Sequence, residues 1–271
     1  MSRIVINIAQ KIKQLNLSEL YAYRDLFLIL TYRDIKIKYA QTFLGLFWAL
    51  FQPLAQLTIL TFVFGKVIVI NTGSIPHPLF TLSGMCSWVY FSLVLQQSGN
   101  SLIGAQDMVK KIYFPRLIIP LSKAILGFID FGITLIFLVC LLFYYGFIPS
   151  INIIFLPIFI LLTVTIALGA GIWTSALSIR YRDFQYIIPF LLQFGLYATP
   201  IAYPVSMVPD KFQWIFHLNP MTGIVEGFRW CILGERPPSE LAYLSYFITF
   251  LIFISSLFYF KKAESTIADI I

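Results

Sequence analysis

Charged side chains are scarce in this sequence. Asp, Glu, Lys and Arg make up 11% of its 271 residues, whereas apolar residues make up 59%. A soluble domain usually has about 25% charged residues. The chain has too few charges to cover a water-exposed surface around an apolar core. The composition therefore excludes an ordinary soluble protein and indicates that lipid solvates most of the surface.

Cysteine and histidine are too few and too scattered to predict a disulfide framework or a metal site. Cys86, Cys140 and Cys231 form no C-x-x-C pair, and His77 and His217 lie far apart in predicted loops. We expect the cysteines to be ordinary buried apolar side chains and assign no residue to a metal. The sequence also lacks G-x-S-x-G, H-E-x-x-H and paired-carboxylate motifs, so a membrane enzyme such as a glycosyl or acyl transferase is disfavoured.

A phosphate-binding loop is missing as well. The one Gly-Lys pair, Gly65-Lys66, has Leu60 where G-x-x-x-x-G-K-[ST] requires its first glycine, and Val67 where it requires Ser or Thr. If transport is driven by ATP, a separate subunit must therefore bind the nucleotide. Nucleic acid is not an expected partner despite the net charge of +7, because a basic stripe interleaved with exposed aromatic residues is absent.

Long apolar runs are what the sequence has in abundance. A helix that crosses a membrane needs about 20 apolar residues, because lipid offers an open backbone no hydrogen-bond partner. Six segments qualify, near 44–64, 79–98, 117–145, 152–179, 186–204 and 241–260. They predict an all-α, six-span membrane region over 44–260. The whole chain, 1–271, is then one domain, with an N-terminal segment 1–43 and a tail 261–271.

The positions of Lys and Arg predict the orientation of these spans. Basic residues concentrate on the cytoplasmic side of membrane proteins. Here they concentrate before span 1, after spans 2 and 4, and in the tail, so both termini are expected in the cytoplasm. Residues 18–38 are too charged for hydrocarbon and predict an interfacial helix at the cytoplasmic surface, held by anionic lipid and aromatic anchors. Alternatively, this segment is a basic flank that only orients span 1.

Two ionisable residues, Lys123 and Asp130, lie well inside span 3. They are seven positions apart, about 10 Å along a helix, so they cannot pair with each other. We expect Lys123 to extend outward to the cytoplasmic interface, whereas Asp130 needs a polar partner or a wet cavity. Asp130 is either a hydrogen-bonded structural carboxylate or part of a proton or sodium pathway.

Aromatic residues recur on one face of two predicted helices. The first stripe comprises Phe43, Phe47 and Phe51, and the second comprises Tyr186, Phe190, Phe194 and Tyr197. Such stripes indicate either lipid contact and core packing or a ladder of rings that lines a conduit. In the second case the rings would stack on the apolar faces of sugars, while Gln193 would reach sugar hydroxyls.

Four stretches share their order and separation with one known family. They are YRDIKIKYAQTFLGLFWALFQP (32–53), NSLIGAQDMVKKIYFPRLIIPLSK (100–123), IRYRDFQYIIPFLLQFGLYATPIAYP (179–204) and LNPMTGIVEGFRW (218–230). Together they resemble the permease subunit of type-2 ABC exporters for lipid-linked polysaccharides, most of all the O-antigen exporters. The resemblance extends over residues 20 to 260.

The resemblance implies a multi-pass protein of the bacterial inner membrane that moves lipid-linked O-antigen out of the cytoplasm. A capsule or teichoic-acid polymer is an alternative cargo, and an ion-coupled secondary carrier is an alternative outside the family. The family pairs two permease copies with two cytoplasmic ATPase subunits, which bind ATP and magnesium. It also implies a coupling helix from Ser101 to Tyr113, in which Asp107, Lys110 and Lys111 face the ATPase.

The resemblance further implies short helices between spans 5 and 6 that dip back from the outer face and gate the exit. Pro200 and Pro204 lie where this region begins. Glu226 and Arg229 are three positions apart, so they either brace that gate or form an exposed loop pair of little energetic value.

Overall fold

Helices dominate the structure. The computed structural model describes residues 17–40, 45 and 47–270, and contains no strand among them. The α-helices are α1 (Leu17–Ala22), α2 (Arg24–Ile35), α3 (Phe47–Leu60), α4 (His77–Gly104), α5 (Gln106–Lys111), α6 (Ile118–Tyr144), α7 (Leu156–Arg180), α8 (Phe184–Ala198), α9 (Asp210–His217), α10 (Pro220–Leu233) and α11 (Ala242–Ile270). Residues Lys36–Ala40 and Thr61–Val67 are π-helical, and Ile151–Phe155 and Val205–Met207 form 3₁₀ turns. The all-α prediction is confirmed for this part of the chain.

Five helical segments within the described residues are long and apolar enough to cross a membrane. They are Phe47–Val67, His77–Gly104, Ile118–Tyr144, Ile151–Arg180 and Ala242–Glu264. These segments coincide with predicted spans 1 to 4 and 6. At the predicted fifth span, α8 has 15 residues. It is about 22 Å long, less than the roughly 30 Å of hydrocarbon, so a sixth crossing and the side of each terminus stay predictions.

Glycines let the central helices approach closely. A Cβ at Gly171 of α7 would lie 2.7 Å from the Cβ of Ser98 in α4, and one at Gly169 would lie 2.8 Å from the Cα of Phe253 in α11. Real Cβ atoms do not come this close, so α7 is held between α4 and α11 through positions that lack a side chain. This packing forms the centre of the bundle.

Two apolar clusters fill the bundle. The larger one joins α4, α6, α7 and α10, and includes Met85, Phe131 and Phe228. The second lies at the end where α4 and α7 finish, and includes Leu30, Val109 and Phe260. It therefore brings α2, the predicted coupling segment and the last helix together at one end.

Candidate functional site

The predicted coupling segment folds as a short helix with an apolar underside. Its side chains Asp107, Lys110, Lys111 and Tyr113 are exposed. Val109 and Phe114 are buried in the second apolar cluster beneath them. Burial of these two anchors fixes which face of α5 points outward, and that face is charged.

Ser101 departs from its predicted place on this surface. It belongs to the last turns of α4, where it is 7% exposed, and its hydroxyl donates to the Ser98 carbonyl at 2.6 Å. The helix α4 continues to Gly104 before the chain turns at Ala105. Ser101 is consequently part of the bundle interior, and the exposed segment is shorter than predicted.

The coupling segment is braced by both ends of the chain. The Arg116 guanidinium donates to the Glu264 carbonyl at 2.7 Å, and the Tyr23 hydroxyl donates to the Tyr113 carbonyl at 3.4 Å. The carboxylate of Glu19 raises the pKa of Tyr113, with smaller contributions from burial and from Glu264. Helix α1, the coupling segment and helix α11 thus meet around Tyr113.

Two ion pairs, one buried and one partly buried, connect the N-terminal segment to α6. The Lys123 ammonium donates to the Asp34 carboxylate, and Lys38 Nζ lies 2.5 Å from Asp130 Oδ2. Asp130 also accepts a hydrogen bond from the Tyr39 hydroxyl. The prediction that Lys123 extends outward is wrong, because its side chain is buried and paired with Asp34. The prediction that Asp130 needs a polar partner is confirmed.

These contacts also show how far along α6 the N-terminal segment extends. Asp130 lies twelve residues after Ile118, the first residue of α6, which is about 18 Å along the axis. Since Lys38 and Tyr39 contact Asp130, the end of the segment reaches that level of α6. Opposite charges on α6 compensate those of Asp34 and Lys38 there, and the interfacial position of the segment stays a prediction.

The aromatic stripes are exposed on the isolated chain. Tyr186, Phe190, Phe194 and Tyr197 are 79, 67, 64 and 52% exposed, and Gln193 beside them is also exposed. Phe47 and Phe51 of α3 are exposed and stacked, with ring centroids 5.7 Å apart, whereas Phe43 lies outside the described residues. Packing in the core of this chain is ruled out for these rings, which leaves lipid, a second copy or a conduit.

A buried arginine organises the opposite end of the bundle. Arg229 is 1% exposed, and its Nη2 donates to the carbonyls of Pro200 and Ile201 at 2.8 and 2.5 Å. Its guanidinium carbon lies 3.6 Å from the centre of the Phe80 ring. Gly84 leaves room for it, because a Cβ there would come within 3.3 Å of Nη2. Arg229 therefore fixes the turn after α8 against α4.

The exposed loop pair predicted for Glu226 and Arg229 is wrong, whereas their role in bracing a gate stays a prediction. Arg229 is buried and bonded to main-chain carbonyls, so it forms no exposed loop pair. Glu226 instead lies 3.3 Å from the buried ring of His217. The reason is that α10 packs against α4, α7 and α11, which turns Arg229 into the protein and Glu226 toward α9.

His217 ties the short helices to α11. Its ring nitrogens contact the Gln213 carbonyl at 2.9 Å and the hydroxyl of Ser239 at 3.3 Å. Its own carbonyl accepts a hydrogen bond from Ser245 at 2.8 Å. Burial lowers the pKa of His217, but the hydrogen bonds that the Glu226 carboxylate and the Gln213 carbonyl accept from its ring outweigh burial, so the pKa is raised.

The turn after α8 has two further attachments. Pro200 is buried, and Pro204 directly precedes the 3₁₀ turn. The Ala202 carbonyl lies 3.1 Å from His77 Nε2, at the first residue of α4, and Asn219 Nδ2 donates to the Thr199 hydroxyl at 2.8 Å. Three anchors thus hold the turn in which the predicted gate lies.

Sequence reasoning missed the roles of Asp34, Lys38, Tyr39 and His217. A signal for the first two was present, because an acid and a base precede span 1 and a base and an acid lie within span 3. Asp34 and Lys38 are four positions apart, whereas Lys123 and Asp130 are seven positions apart, so the spacings do not match each other. The pairing was also hidden because Asp34 and Lys38 lie in a segment that was predicted to stay at the membrane surface.

The comparisons with known proteins define the class. Residues 25–233 match the ABC-2 type transporter family, and the chain belongs to that family. It is 28% identical over 248 residues to an O-antigen export system permease protein RfbA of Klebsiella pneumoniae, covering 91% of this chain and 95% of that protein. The RfbA of Myxococcus xanthus is 27% identical over 252 residues, which is 91% and 96% of the two chains. The polysialic acid transport protein KpsM of Escherichia coli is 24% identical over 244 residues, which is 88% and 93%.

Proposed function

We propose that this chain is the channel-forming membrane subunit of an ATP-driven exporter in the bacterial inner membrane. Its cargo is lipid-linked polysaccharide, with O-antigen as the first candidate. The observation that supports this most strongly is similarity to O-antigen export permeases over 91% of the chain. A capsule polymer is the second candidate cargo, because KpsM, named for polysialic acid transport, matches over 88%.

The motor is a separate pair of ATPase subunits that dock against α5. Supporting this, the sequence has no phosphate-binding loop, and Asp107, Lys110 and Lys111 project from a helix whose underside is anchored. The bracing of the adjacent Arg116 by Glu264 gives a push on α5 a direct route to α11. ATP binding then closes the motors, and the coupling segments transmit this closure to the spans as a rigid-body movement.

The conduit forms between two copies of the chain, with the rings of α8 and α3 facing it. Supporting this, the rings of both stripes are exposed, and Gln193 offers an amide beside Phe194. Apolar C–H faces of sugars stack on aromatic rings, while hydroxyls bond to amides. The turn with Pro200 and Pro204 lies beyond α8, where it is placed to gate the exit, and Arg229 holds it.

A complementation assay tests the docking surface. A strain of the source bacterium that lacks this gene would receive the wild-type protein or a Lys110→Glu, Lys111→Glu variant, and its surface polysaccharide would be extracted and quantified. Charge reversal should lower export by about tenfold or more, by analogy with charged contacts at interfaces, without changing abundance. Lys211→Glu, on an exposed lysine of α9, is the matched control. Equal export from both variants would contradict docking on α5, and unchanged polysaccharide in the deletion strain would reject the function.

The same assay tests the conduit. Phe190→Ala, Phe194→Ala and Tyr197→Ala together should reduce surface polysaccharide, because the sugar faces lose their stacking partners. A matched triple on α11 replaces the exposed rings of Phe247, Phe250 and Phe258. If both triples have the same effect, the α8 rings contact lipid and the ladder hypothesis is wrong.

A further inference from the structure

The acid and the base of the two ion pairs come in opposite order in the N-terminal segment and in α6. In the N-terminal segment the acid Asp34 comes first and the base Lys38 follows, whereas in α6 the base Lys123 comes first and the acid Asp130 follows. A slip of the segment along α6 by one pair would therefore place Lys38 toward Lys123, or Asp34 toward Asp130. Like charges repel strongly in a low-dielectric interior, so one register is selected.

The contact is closed around Asp34 and Lys123 and is partly open at Lys38, whose side chain is 28% exposed. Leu30 is 3% exposed in the second apolar cluster, and the Thr31 hydroxyl lies 3.5 Å from the Ser122 carbonyl. Asp34 and Lys123 are 9 and 7% exposed, and Asp130 is 6% exposed. Moving the segment away from α6 would leave Lys123 and Asp130 buried without these partners, which is far more costly than keeping the pairs.

We propose that Arg24–Ala40 and α6 form one rigid body throughout the transport cycle, locked in register by Asp34–Lys123 and Lys38–Asp130. This inference rests on the proposed function. The four side chains are positioning residues: they carry movement of the cytoplasmic end to the middle of α6. Lipid-linked cargo consequently does not pass between this segment and α6.

A reversible crosslink tests the rigid body. Thr31→Cys and Ser122→Cys are introduced into a variant whose three native cysteines are replaced by alanine. Inside-out membrane vesicles carrying the cell's own lipid-linked polysaccharide are oxidised with copper phenanthroline, and ATP-dependent sequestration of that polysaccharide is measured. Transport by the crosslinked protein should stay within about twofold of the reduced sample, since the bond joins parts that do not separate.

Two results would overturn the rigid-body proposal, and a third would reject the proposed function. A loss of about tenfold or more on oxidation, reversed by dithiothreitol, would show that the segment separates from α6 and would overturn the proposal. If neither the disulfide nor a short bifunctional maleimide bridge forms, residues 31 and 122 are not neighbours, and the proposal is overturned too. If the cysteine-free parent shows no ATP-dependent transport while the wild-type protein does, a parent that keeps Cys86 and Cys231 is used. If the wild-type protein shows no transport, the proposed function is rejected. Formation of the crosslink then still tests whether the N-terminal segment lies against α6.

Paired substitutions provide a second test that distinguishes positioning from proton chemistry. Lys123→Met leaves the buried Asp34 with only the half-exposed Arg33 beside it, whereas Lys123→Met with Asp34→Leu removes both charges of the pair. The double variant should recover most of the abundance and export that the single variant loses, because apolar pairs can replace buried ion pairs. If the double variant exports no better than the single one although its abundance recovers, the charges act chemically and the positioning role is wrong.

Discussion

The two ends of the bundle satisfy buried charge in different ways. Where the N-terminal segment packs on α6, Asp34 faces Lys123 and Asp130 faces Lys38. At the other end, Arg229 lies against main-chain carbonyls and the ring of Phe80. Opposite-charge pairs require two specific side chains, whereas a carbonyl cage is built from backbone that side-chain substitution does not remove.

This difference predicts different tolerance at the two ends. A charge pair can be replaced as a pair, because both partners are side chains. The carbonyls around Arg229 remain whatever residue stands at 229, and they need several donors in a fixed plane, which a guanidinium has and an ammonium lacks. The ion pairs therefore select a register between the N-terminal segment and α6, whereas the carbonyls around residue 229 select arginine at that position.

Breaking one charge pair should produce the largest effect. Lys123→Met leaves the Asp34 carboxylate buried beside Arg33 alone, and the expected loss of stability is about 3–5 kcal/mol. Thermal unfolding in detergent micelles measures it. Lys110→Met, at an exposed lysine, is the control and should melt close to wild type. A melting temperature for Lys123→Met equal to that of the control would contradict the pairing.

Replacing the arginine at the other end by lysine should have an intermediate effect. Arg229→Lys keeps the charge but cannot reach Pro200, Ile201 and Phe80 together, so about 2 kcal/mol of stability is expected to be lost. Arg236→Lys at an exposed position serves as the comparison in the same melting assay. If lysine at 229 is as stable as arginine, the geometry of the cage is not what selects the residue.

Titration of His217 should have the smallest effect and should act on the contacts of its ring with Glu226, Gln213 and Ser239. Its pKa is raised above 6.5 in the folded protein, so the stability it contributes is fully present below pH 6.5 and is lost as pH rises through the raised value. The melting temperature of the wild type should therefore fall as the pH rises above 6.5.

Two variants test whether His217 causes this dependence of the melting temperature on pH. His217→Gln removes the titrating group, and Glu226→Gln removes the carboxylate that favours its protonated form, so both should flatten the slope. Glu240→Gln, at an exposed residue, should retain it. A slope that persists in His217→Gln would place the pH dependence elsewhere in the protein.

Helix locations were predictable, whereas their cross-chain contacts were not. The apolar runs gave five of the crossing segments to within a few residues, because their lengths reflect the thickness of lipid. The ends of α4 and α8 were less accurate, since a helix continues or stops according to its packing. Ser101 shows this: α4 continues to Gly104, beyond the predicted end at residue 98, and the Ser101 side chain is consequently buried in the bundle.

The sequence by itself determined that this is an all-helical membrane protein, where five of its spans lie, and which family it resembles. These properties depend on composition and local pattern, to which lipid responds directly. Only the tertiary structure decided that Lys123 meets Asp34, 89 positions away, and that Arg229 holds a turn 29 positions before it. Such pairings depend on the rotation and register of packed helices, which no periodicity along one segment specifies.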